Sequence, residues 1–237
     1  MRAKAESPAA RFERPADGPA ARREAATAGG PSAAEPFRVA VFASGNGSNF
    51  QAIADRVRAG ELDVKLELLV CDRPGAKVIE RAEAAGVDVF VFRPKDYPDR
   101  ESYERLILAE LERRKVDLVV LAGFMRLLTP MLVDAYAGRM INIHPALLPS
   151  FKGARPIADA LAYGVKVTGV TVHFVTRDMD AGPIIAQEAV PVREGDSGET
   201  LAARIHAVEH ELLPRVIGWI RDGRVHLEGN RTRIDNG

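Results

Sequence analysis

The 237-residue sequence has one cysteine, no net charge and no long apolar run. The single thiol, Cys71, excludes an intrachain disulfide framework and a cysteine-rich metal centre, and it suits a reducing compartment. Because 33 basic side chains balance 33 acidic ones, no overall field gathers nucleic acid or anionic lipid. No apolar stretch approaches the roughly 18 residues of a membrane span, and the N-terminus lacks the apolar core of a secretory signal. These absences predict a cytoplasmic protein that binds neither nucleic acid nor membrane.

Residues 1–36 contain little that could form a core. They consist largely of Ala, Pro, Gly, Arg and Glu, with Phe12 as the only aromatic residue. Such a segment cannot bury enough surface to offset its ordering entropy. An organellar transit peptide is the alternative, but these peptides are poor in acidic residues and this segment has five. We therefore predict a disordered N-terminal extension over 1–36 and one folded domain over 37–237.

From Phe37 onward, short apolar runs alternate with segments of helical periodicity. The runs FRVAVFA (37–43) and VDLVVLAG (116–123) are typical of buried strands, and RESYERLILAELERRK (100–115) is typical of an amphipathic helix. Strands separated by helices predict an α/β fold with a doubly wound, mostly parallel, Rossmann-like sheet. Two neighbouring strands, GVTVHFVT and PIIAQEAVPV, predict an antiparallel addition near the C-terminus. The long terminal helix contains Pro214, where a kink or break is expected.

A glycine loop, SGNGSN (44–49), follows the first predicted strand. Gly45 and Gly47 permit a tight turn, Ser48 is expected to cap the next helix, and the free amides at that helix start favour a phosphate. A dinucleotide fingerprint needs a third small residue, and Phe50 occupies that position. The favoured interpretation is a site for a monophosphate-sized anion. A dinucleotide cofactor with Asp72 as the ribose-binding acid, or a turn without a ligand, are the alternatives.

The segment INIHP (141–145) carries the sharpest chemical signal. Asn142 and His144 are two apart, so they share one face of a strand. Imidazole transfers protons near neutral pH, and an amide N–H can stabilise an oxyanion. Asp178 and Asp180 follow another strand end, and a carboxylate brought to His144 would hold its tautomer and favour its protonated form. The alternatives are a structural histidine and turn-forming aspartates.

The remaining histidines have no assigned role. His173 lies in the middle of a predicted strand. His206 and His210 are four apart on the terminal helix, but they have no third ligand nearby and do not form an HExxH motif. We therefore reject a zinc site and predict no metal.

Four segments occur in a characteristic order: SGNGSN (44–49), LAGFMRLLTP (121–130), INIHPALLPSFKG (141–153) and GVTVHFVTRDMDAGPII (169–185). Together they closely resemble the phosphoribosylglycinamide formyltransferases, folate-dependent transferases of purine biosynthesis, from about residue 37 to 228. The resemblance implies that a formyl group passes from the co-substrate 10-formyltetrahydrofolate to the amine of 5-phosphoribosylglycinamide (GAR). The phosphate at the glycine loop would then be the substrate's own.

The resemblance also implies roles for individual residues. The catalytic positions are Asn142, His144 and Asp180. The positions for the GAR phosphate and ribose are Gly47, Ser48, Asn49 and Glu209. The folate-side positions are Arg100, Met125, Arg126, Leu127, Leu128, Thr176, Arg177, Asp178 and Met179. The segment ARPIADAL (154–161) lacks the histidines that many relatives carry there, and no role is assigned to it.

Several other functions stay open at this point. A formyltetrahydrofolate deformylase would use water as acceptor, but it usually carries a regulatory domain upstream. A methionyl-tRNA formyltransferase would add a C-terminal RNA-binding domain, and sugar-nucleotide formyltransferases lack the SGNGSN loop. A non-catalytic nucleotide-binding module is the alternative from a different class. A homodimer is possible, since small α/β enzymes often pair.

Overall fold

Seven strands form one sheet in the computed structural model, which describes residues 35–235. In chain order they are β1 (Arg38–Phe42), β2 (Lys65–Cys71), β3 (Val89–Val91), β4 (Leu118–Leu121), β5 (Met140–His144), β6 (Val167–Phe174) and β7 (Ile184–Pro191). The helices are α1 (Ser48–Arg58), α2 (Lys77–Ala84), α3 (Arg100–Arg113), α4 (Pro130–Ala135), α5 (Pro156–Tyr163) and α6 (Gly198–Arg221), with a 3₁₀ turn at Pro94–Asp96. A separate hairpin is formed by β8 (Val225–Glu228) and β9 (Arg231–Ile234).

The strand order is β3-β2-β1-β4-β5-β6-β7, and the first five strands run parallel. Strand β6 pairs antiparallel with β5, and β7 pairs antiparallel with β6. The chain reverses its direction across the sheet between β1 and β4, which is where doubly wound sheets bind their ligands. The predicted α/β fold, with its antiparallel addition near the C-terminus, is confirmed.

Helices cover both faces of the sheet because the buried strands alternate their side chains. Val39 and Val41 of β1 pack on the face that carries α1, α2 and α6. Ala40 and Phe42 pack on the opposite face, which carries α3 and α4. The bulky Phe50, at the third position of the glycine pattern, is fully buried in the first of these clusters.

Helix α6 begins with a capping box, in which the Ser197 side chain accepts from the amide of Thr200 and the Thr200 side chain accepts from the amide of Ser197. The helix then runs without interruption through the buried Pro214 to Arg221. Of the two expectations at Pro214, the break is therefore wrong and the kink stays a prediction. Its missing N–H costs the helix one backbone hydrogen bond, while its ring is buried with the apolar face of the helix.

Two elements lacked a sequence prediction, namely the short helix α4 and the β8–β9 hairpin. In the hairpin, the Thr232 hydroxyl donates to the carbonyl of Ile184 on the edge strand β7 at 2.7 Å.

Almost all of the predicted extension over 1–36 lies outside the described residues. Within residues 35–235, no helix combines the length and the apolar character that a membrane crossing requires.

Candidate active site

The antiparallel pairing of β5 with β6 brings two pairs of polar residues together at the end of β5. Asn142 lies opposite His173, and His144 lies opposite Thr171. The two ends of the β6–β7 loop (residues 175–183) lie close together, because the Phe174 amide donates to the carbonyl of Pro183 at 2.9 Å. This loop carries Asp180 back toward His144.

Both ring nitrogens of His144 face acceptors. Nδ1 lies 3.7 Å from Oδ2 of Asp180, and Nε2 lies 2.8 Å from the carbonyl oxygen of Phe151. The ring is buried, with 4% of the residue exposed. A neutral ring can donate to only one of these acceptors, whereas the doubly protonated ring can satisfy both.

Asn142 is oriented by His173, a residue without a predicted role. His173 Nδ1 lies 2.9 Å from the carbonyl oxygen of Phe174, so Nδ1 carries the proton and Nε2 is the acceptor. The Asn142 amide donates to Nε2 at 3.1 Å. Burial lowers the pKa of His173, which keeps its ring neutral and able to accept. The second N–H of the Asn142 amide stays available for another acceptor.

Asp180 is held in place by a backbone amide and lies close to His173. Its Oδ2 accepts from the amide of Gly153 at 2.9 Å, and its Oδ1 lies 3.8 Å from Nε2 of His173. Its own backbone is left-handed, with φ of 50°. Two residues later, a Cβ at Gly182 would lie 1.8 Å from the carbonyl oxygen of Phe174. Only glycine therefore permits this path of the loop while that carbonyl accepts from His173.

The glycine loop places an uncapped helix start at the same edge of the sheet. The N-cap of α1 is Gly47, with φ of 75°, and among residues 35–235 no side chain caps the helix start. Ser48 is the first helical residue, so its expected position as N-cap is wrong by one residue. A Cβ at Gly47 would lie 2.4 Å from Cγ2 of Val78, and the tight packing of α2 on the loop thus requires glycine there.

Arg81 of α2 secures this loop from outside. Its guanidinium donates to the Asn46 backbone carbonyl at 2.9 Å, to the Asn46 side-chain oxygen at 3.1 Å and to Oε1 of Gln51 at 3.0 Å. The first turn of α1 contains no acidic side chain. The loop is therefore electropositive for two reasons, the helix dipole and a fixed cation.

Glu209 of α6 lies beneath the same loop. It is buried, with 4% exposed, and its Oε2 accepts from Nδ2 of Asn49 at 3.0 Å. Burial raises the pKa of this carboxyl, although the Asn49 bond opposes the shift. The Oδ1 atom of Asn49 is buried and accepts from none of the described residues.

The predicted folate-side residues lie on two loops. Met125 and Leu127, between β4 and α4, are 59% and 56% exposed, and Met179 on the β6–β7 loop is 52% exposed. Such solvent-facing apolar side chains are typical of a ligand surface when they cluster. Leu128 differs, because it is partly buried against the core.

The charged folate-side residues have varied surroundings. Arg126 Nε donates to Oδ2 of the buried Asp72 at 2.7 Å, so the carboxylate for which ribose binding is the alternative role pairs with a cation. Arg100 is the first residue of α3. Burial raises the pKa of Tyr103, and the positive charges of Arg126 and Arg100 oppose this shift.

On the β6–β7 loop, the guanidinium of Arg177 donates to Oδ1 of Asp134 at 3.0 Å. The hydroxyl of Thr176 donates to the backbone carbonyl of Asp178 at 3.2 Å, and Asp178 itself is exposed. Over residues 35–235 there is no group of three or more His, Cys, Asp or Glu side chains arranged to hold a metal ion.

Sequence reasoning missed His173 and Arg81. His173 is separated from Asn142 by 31 residues, and only the β5–β6 register makes them neighbours. The signal available was weak: a histidine in the middle of a mostly apolar predicted strand, with no packing reason for its polarity. For Arg81 there was no signal, because a basic residue on an amphipathic helix is ordinary.

Comparison with known proteins places these features in context. The formyl transferase family matches residues 37–217. The phosphoribosylglycinamide formyltransferase of Bacillus subtilis (strain 168) is 51% identical over 180 residues, which are 76% of this chain and 92% of that protein. The crystal structure of glycinamide ribonucleotide transformylase 1 from Symbiobacterium toebii has a TM-score of 0.83 and 44% identity, and covers 86% of this chain and 96% of its own.

A formyltetrahydrofolate deformylase from Pseudomonas syringae pv. tomato is similar to a lesser degree in sequence. Its crystal structure has a TM-score of 0.78 and 32% identity, and it covers 86% of this chain but only 67% of its own. A third of that protein thus has no counterpart in the match.

Proposed function

The chain belongs to the formyl transferase family, and we propose that it transfers a formyl group from 10-formyltetrahydrofolate to the amine of GAR in de novo purine biosynthesis. The observation that carries this proposal is the 3.7 Å approach of the Asp180 carboxylate to His144, beside Asn142 on the same strand. An imidazole, a carboxylate and an amide donor there meet the needs of acyl transfer to an amine.

The glycine loop supports binding of the GAR phosphate. Helix α1 offers amides that no side chain caps, and Arg81 adds a cation beside them. A dianionic phosphate is stabilised by both. Asn49 is the last residue of this loop and bonds Glu209 of α6, and their amide and carboxylate oxygens are suitable acceptors for the ribose hydroxyls.

The two exposed loops support binding of the folate. Met125, Leu127 and Met179 offer apolar surface to a flat pterin ring. Arg100 and Arg126 lie near Tyr103 and supply positive charge for the carboxylates of the folate tail. We assign Leu128 and the stretch from Thr176 to Asp178 to the same site, which therefore extends from the loop after β4 to the loop after β6.

The proposed reaction begins with attack of the GAR amine on the formyl carbon, which gives a tetrahedral intermediate with an oxyanion. The free N–H of Asn142 and the protonated ring of His144 stabilise that oxygen. His144 Nε2, which here donates to the Phe151 carbonyl, turns to the oxyanion. Asp180 holds the charged ring through Nδ1.

Collapse of the intermediate breaks the bond between the formyl carbon and N10 of the folate. The former amine loses one proton and N10 gains one, directly through His144 or through a water, so the enzyme returns to its starting state. This scheme needs no metal ion. We further propose that the protein works in the cytoplasm, where Cys71 stays reduced.

His173 has a positioning role in this scheme. Its neutral Nε2 fixes one N–H of Asn142, so the other N–H points in a defined direction. Without that acceptor the amide could rotate and present its oxygen, which would repel the oxyanion.

A substrate panel tests the proposal directly. The purified protein is incubated with 10-formyltetrahydrofolate and either GAR, water alone or methionyl-tRNA, and the products are followed by mass spectrometry. We expect GAR to gain the mass of a formyl group, with little formate released when GAR is absent. Rapid formate release without GAR would instead identify a deformylase, and no reaction in any arm would indicate a binding module.

A further inference from the structure

The segment between β4 and α4 presents apolar side chains to solvent without any regular structure of its own. We name residues 123–129 the platform loop. Met125 and Leu127 of this loop are more than half exposed, so they contribute little to the core. Phe124 and Leu128 are only partly buried against the core, so the order of the loop is expected to depend on polar contacts as well.

The first such contact comes from Ser44, at the end of β1. Its hydroxyl oxygen accepts from the amide of Met125 at 2.9 Å, and its amide donates to the carbonyl of Gly123 at 3.1 Å. Ser44 is only 2% exposed. The start of the platform loop is therefore fixed to the strand that leads into the glycine loop.

The second contact comes from Asp72, at the end of β2. Its carboxylate is 4% exposed and accepts from Nε of Arg126. Its other oxygen is buried and accepts from none of the described residues. Arg126 is thus the main partner of a buried charge, which makes release of this part of the loop costly.

The third contact comes from Glu104, in the middle of α3. Its carboxylate is fully buried and accepts from the amide of Thr129 at 3.1 and 3.0 Å. The hydroxyl of Thr129 donates to the same carboxylate. Burial raises the pKa of Glu104. A carboxylate at this position therefore stabilises the fold less than an apolar side chain of similar size would.

We propose that Ser44, Asp72 and Glu104 are positioning residues that hold the platform loop in the conformation that binds the formyl-folate. Ser44 follows β1, Asp72 follows β2 and Glu104 lies on α3. Each of these buried residues bonds the loop, while the exposed apolar side chains belong to the loop itself. A loop that is ordered before binding loses less entropy when the ligand arrives. The inference rests on the proposed function, since it assigns these residues to the folate half of the same site.

The end of the loop offers a matched pair of variants. Thr129→Val removes the hydroxyl that donates to Glu104 but keeps the shape, whereas Thr129→Ser keeps the hydroxyl. Ser44→Ala removes the acceptor for the Met125 amide. Glu110→Gln serves as control. Glu110 lies on α3 like Glu104, but it bonds Arg113 and Arg114 and not the platform loop.

The measurements are KM for each substrate, kcat, and binding of tetrahydrofolate by calorimetry, which does not require turnover. For Thr129→Val and Ser44→Ala we expect KM for the formyl-folate and Kd for tetrahydrofolate to rise about tenfold each. KM for GAR should change less than about twofold. Thr129→Ser and Glu110→Gln should match the wild type in folate binding.

A lower melting temperature with unchanged folate binding would overturn the proposal, because the three residues would then only support the fold. Equal increases in KM for both substrates would overturn it as well. Either result leaves the proposed function standing as long as the wild-type protein formylates GAR. Absence of transfer by the wild type would instead refute the proposed function itself.

Discussion

The glycine loop and the end of β5 both lie at the carboxyl edge of the sheet, but they are assembled in opposite ways. The glycine loop offers mainly backbone amides at the start of α1, and α2 supports it from outside through Val78 and Arg81. The β5 end is built over long distances, from Asn142 and His144 on one strand, His173 on the next and Asp180 on a loop. We therefore expect the first region to tolerate side-chain changes that the second does not.

The largest effect is expected at the β5 end. His144→Ala and Asp180→Asn should each lower kcat for formyl transfer to GAR about a thousandfold, because each removes stabilisation of the tetrahedral intermediate. Folding should be little affected, as circular dichroism and melting temperature would verify. Near-normal kcat in both variants would contradict the assignment of this cluster as the catalytic centre.

A smaller loss of kcat is expected for residues that support the catalytic side chains without contacting the substrate. Gly182→Ala would push a Cβ against the Phe174 carbonyl and so disturb the bond to His173. His173→Ala would remove the acceptor for Asn142. Both should lower kcat about tenfold to a hundredfold, with smaller changes in either KM.

Gly198→Ala is the matched glycine control, since a Cβ there meets nothing within 4 Å. It should leave kcat unchanged. If Gly182→Ala behaved like this control, the path of the β6–β7 loop would not matter for Asn142.

The glycine loop should respond to added charge and hardly to the loss of a side chain. Ser48→Asp places a carboxylate beside the proposed phosphate, so KM for GAR should rise at least about tenfold while KM for the formyl-folate stays near its original value. Ser48→Ala keeps every backbone amide and should raise KM for GAR only about twofold. Equal increases in both KM values for Ser48→Asp would remove the distinction between the two regions.

The smallest effect concerns stability, at Glu209. Burial raises the pKa of this carboxyl in the folded protein, so the native state binds more protons than the unfolded chain between the ordinary and the raised pKa. The free energy of unfolding must then fall as pH rises through that window. Glu209→Gln keeps an acceptor for Asn49 without the charge.

The Glu209→Gln variant should therefore be more stable than the wild type above this window and equally stable near pH 4, while it binds GAR more weakly. Chemical denaturation at several pH values measures the difference. A stability gain that stayed constant with pH would show that the buried charge is not its source.

The sequence predicted the local features of the fold better than the contacts between distant segments. The alternation of strands and helices, the shared face of Asn142 and His144, and the glycine turn before α1 are local patterns, and the structure places all of them as expected. The position of Ser48 was wrong by one residue because Gly47, with φ of 75°, takes the cap. The continuity of α6 through Pro214 depends on tertiary packing, which local propensity does not contain.

The contacts that no pattern revealed are those between distant segments. His173 reaches Asn142 through strand register, and Asp72 reaches Arg126 across the ends of β2 and β4. Glu104 is buried on α3, and its bond to Thr129 depends on how α3 packs against the segment that leads into α4. Long-range polar pairs of this kind have no period or spacing from which they could be predicted.

The most direct test of the central claim is a double-mutant cycle on kcat for formyl transfer to GAR, with His144→Ala, Asp180→Asn and the double variant. If the carboxylate acts by holding the charged ring, the double variant should be no more than about threefold slower than the slower single variant. Losses that multiply would show that the two side chains act independently, and would contradict the account.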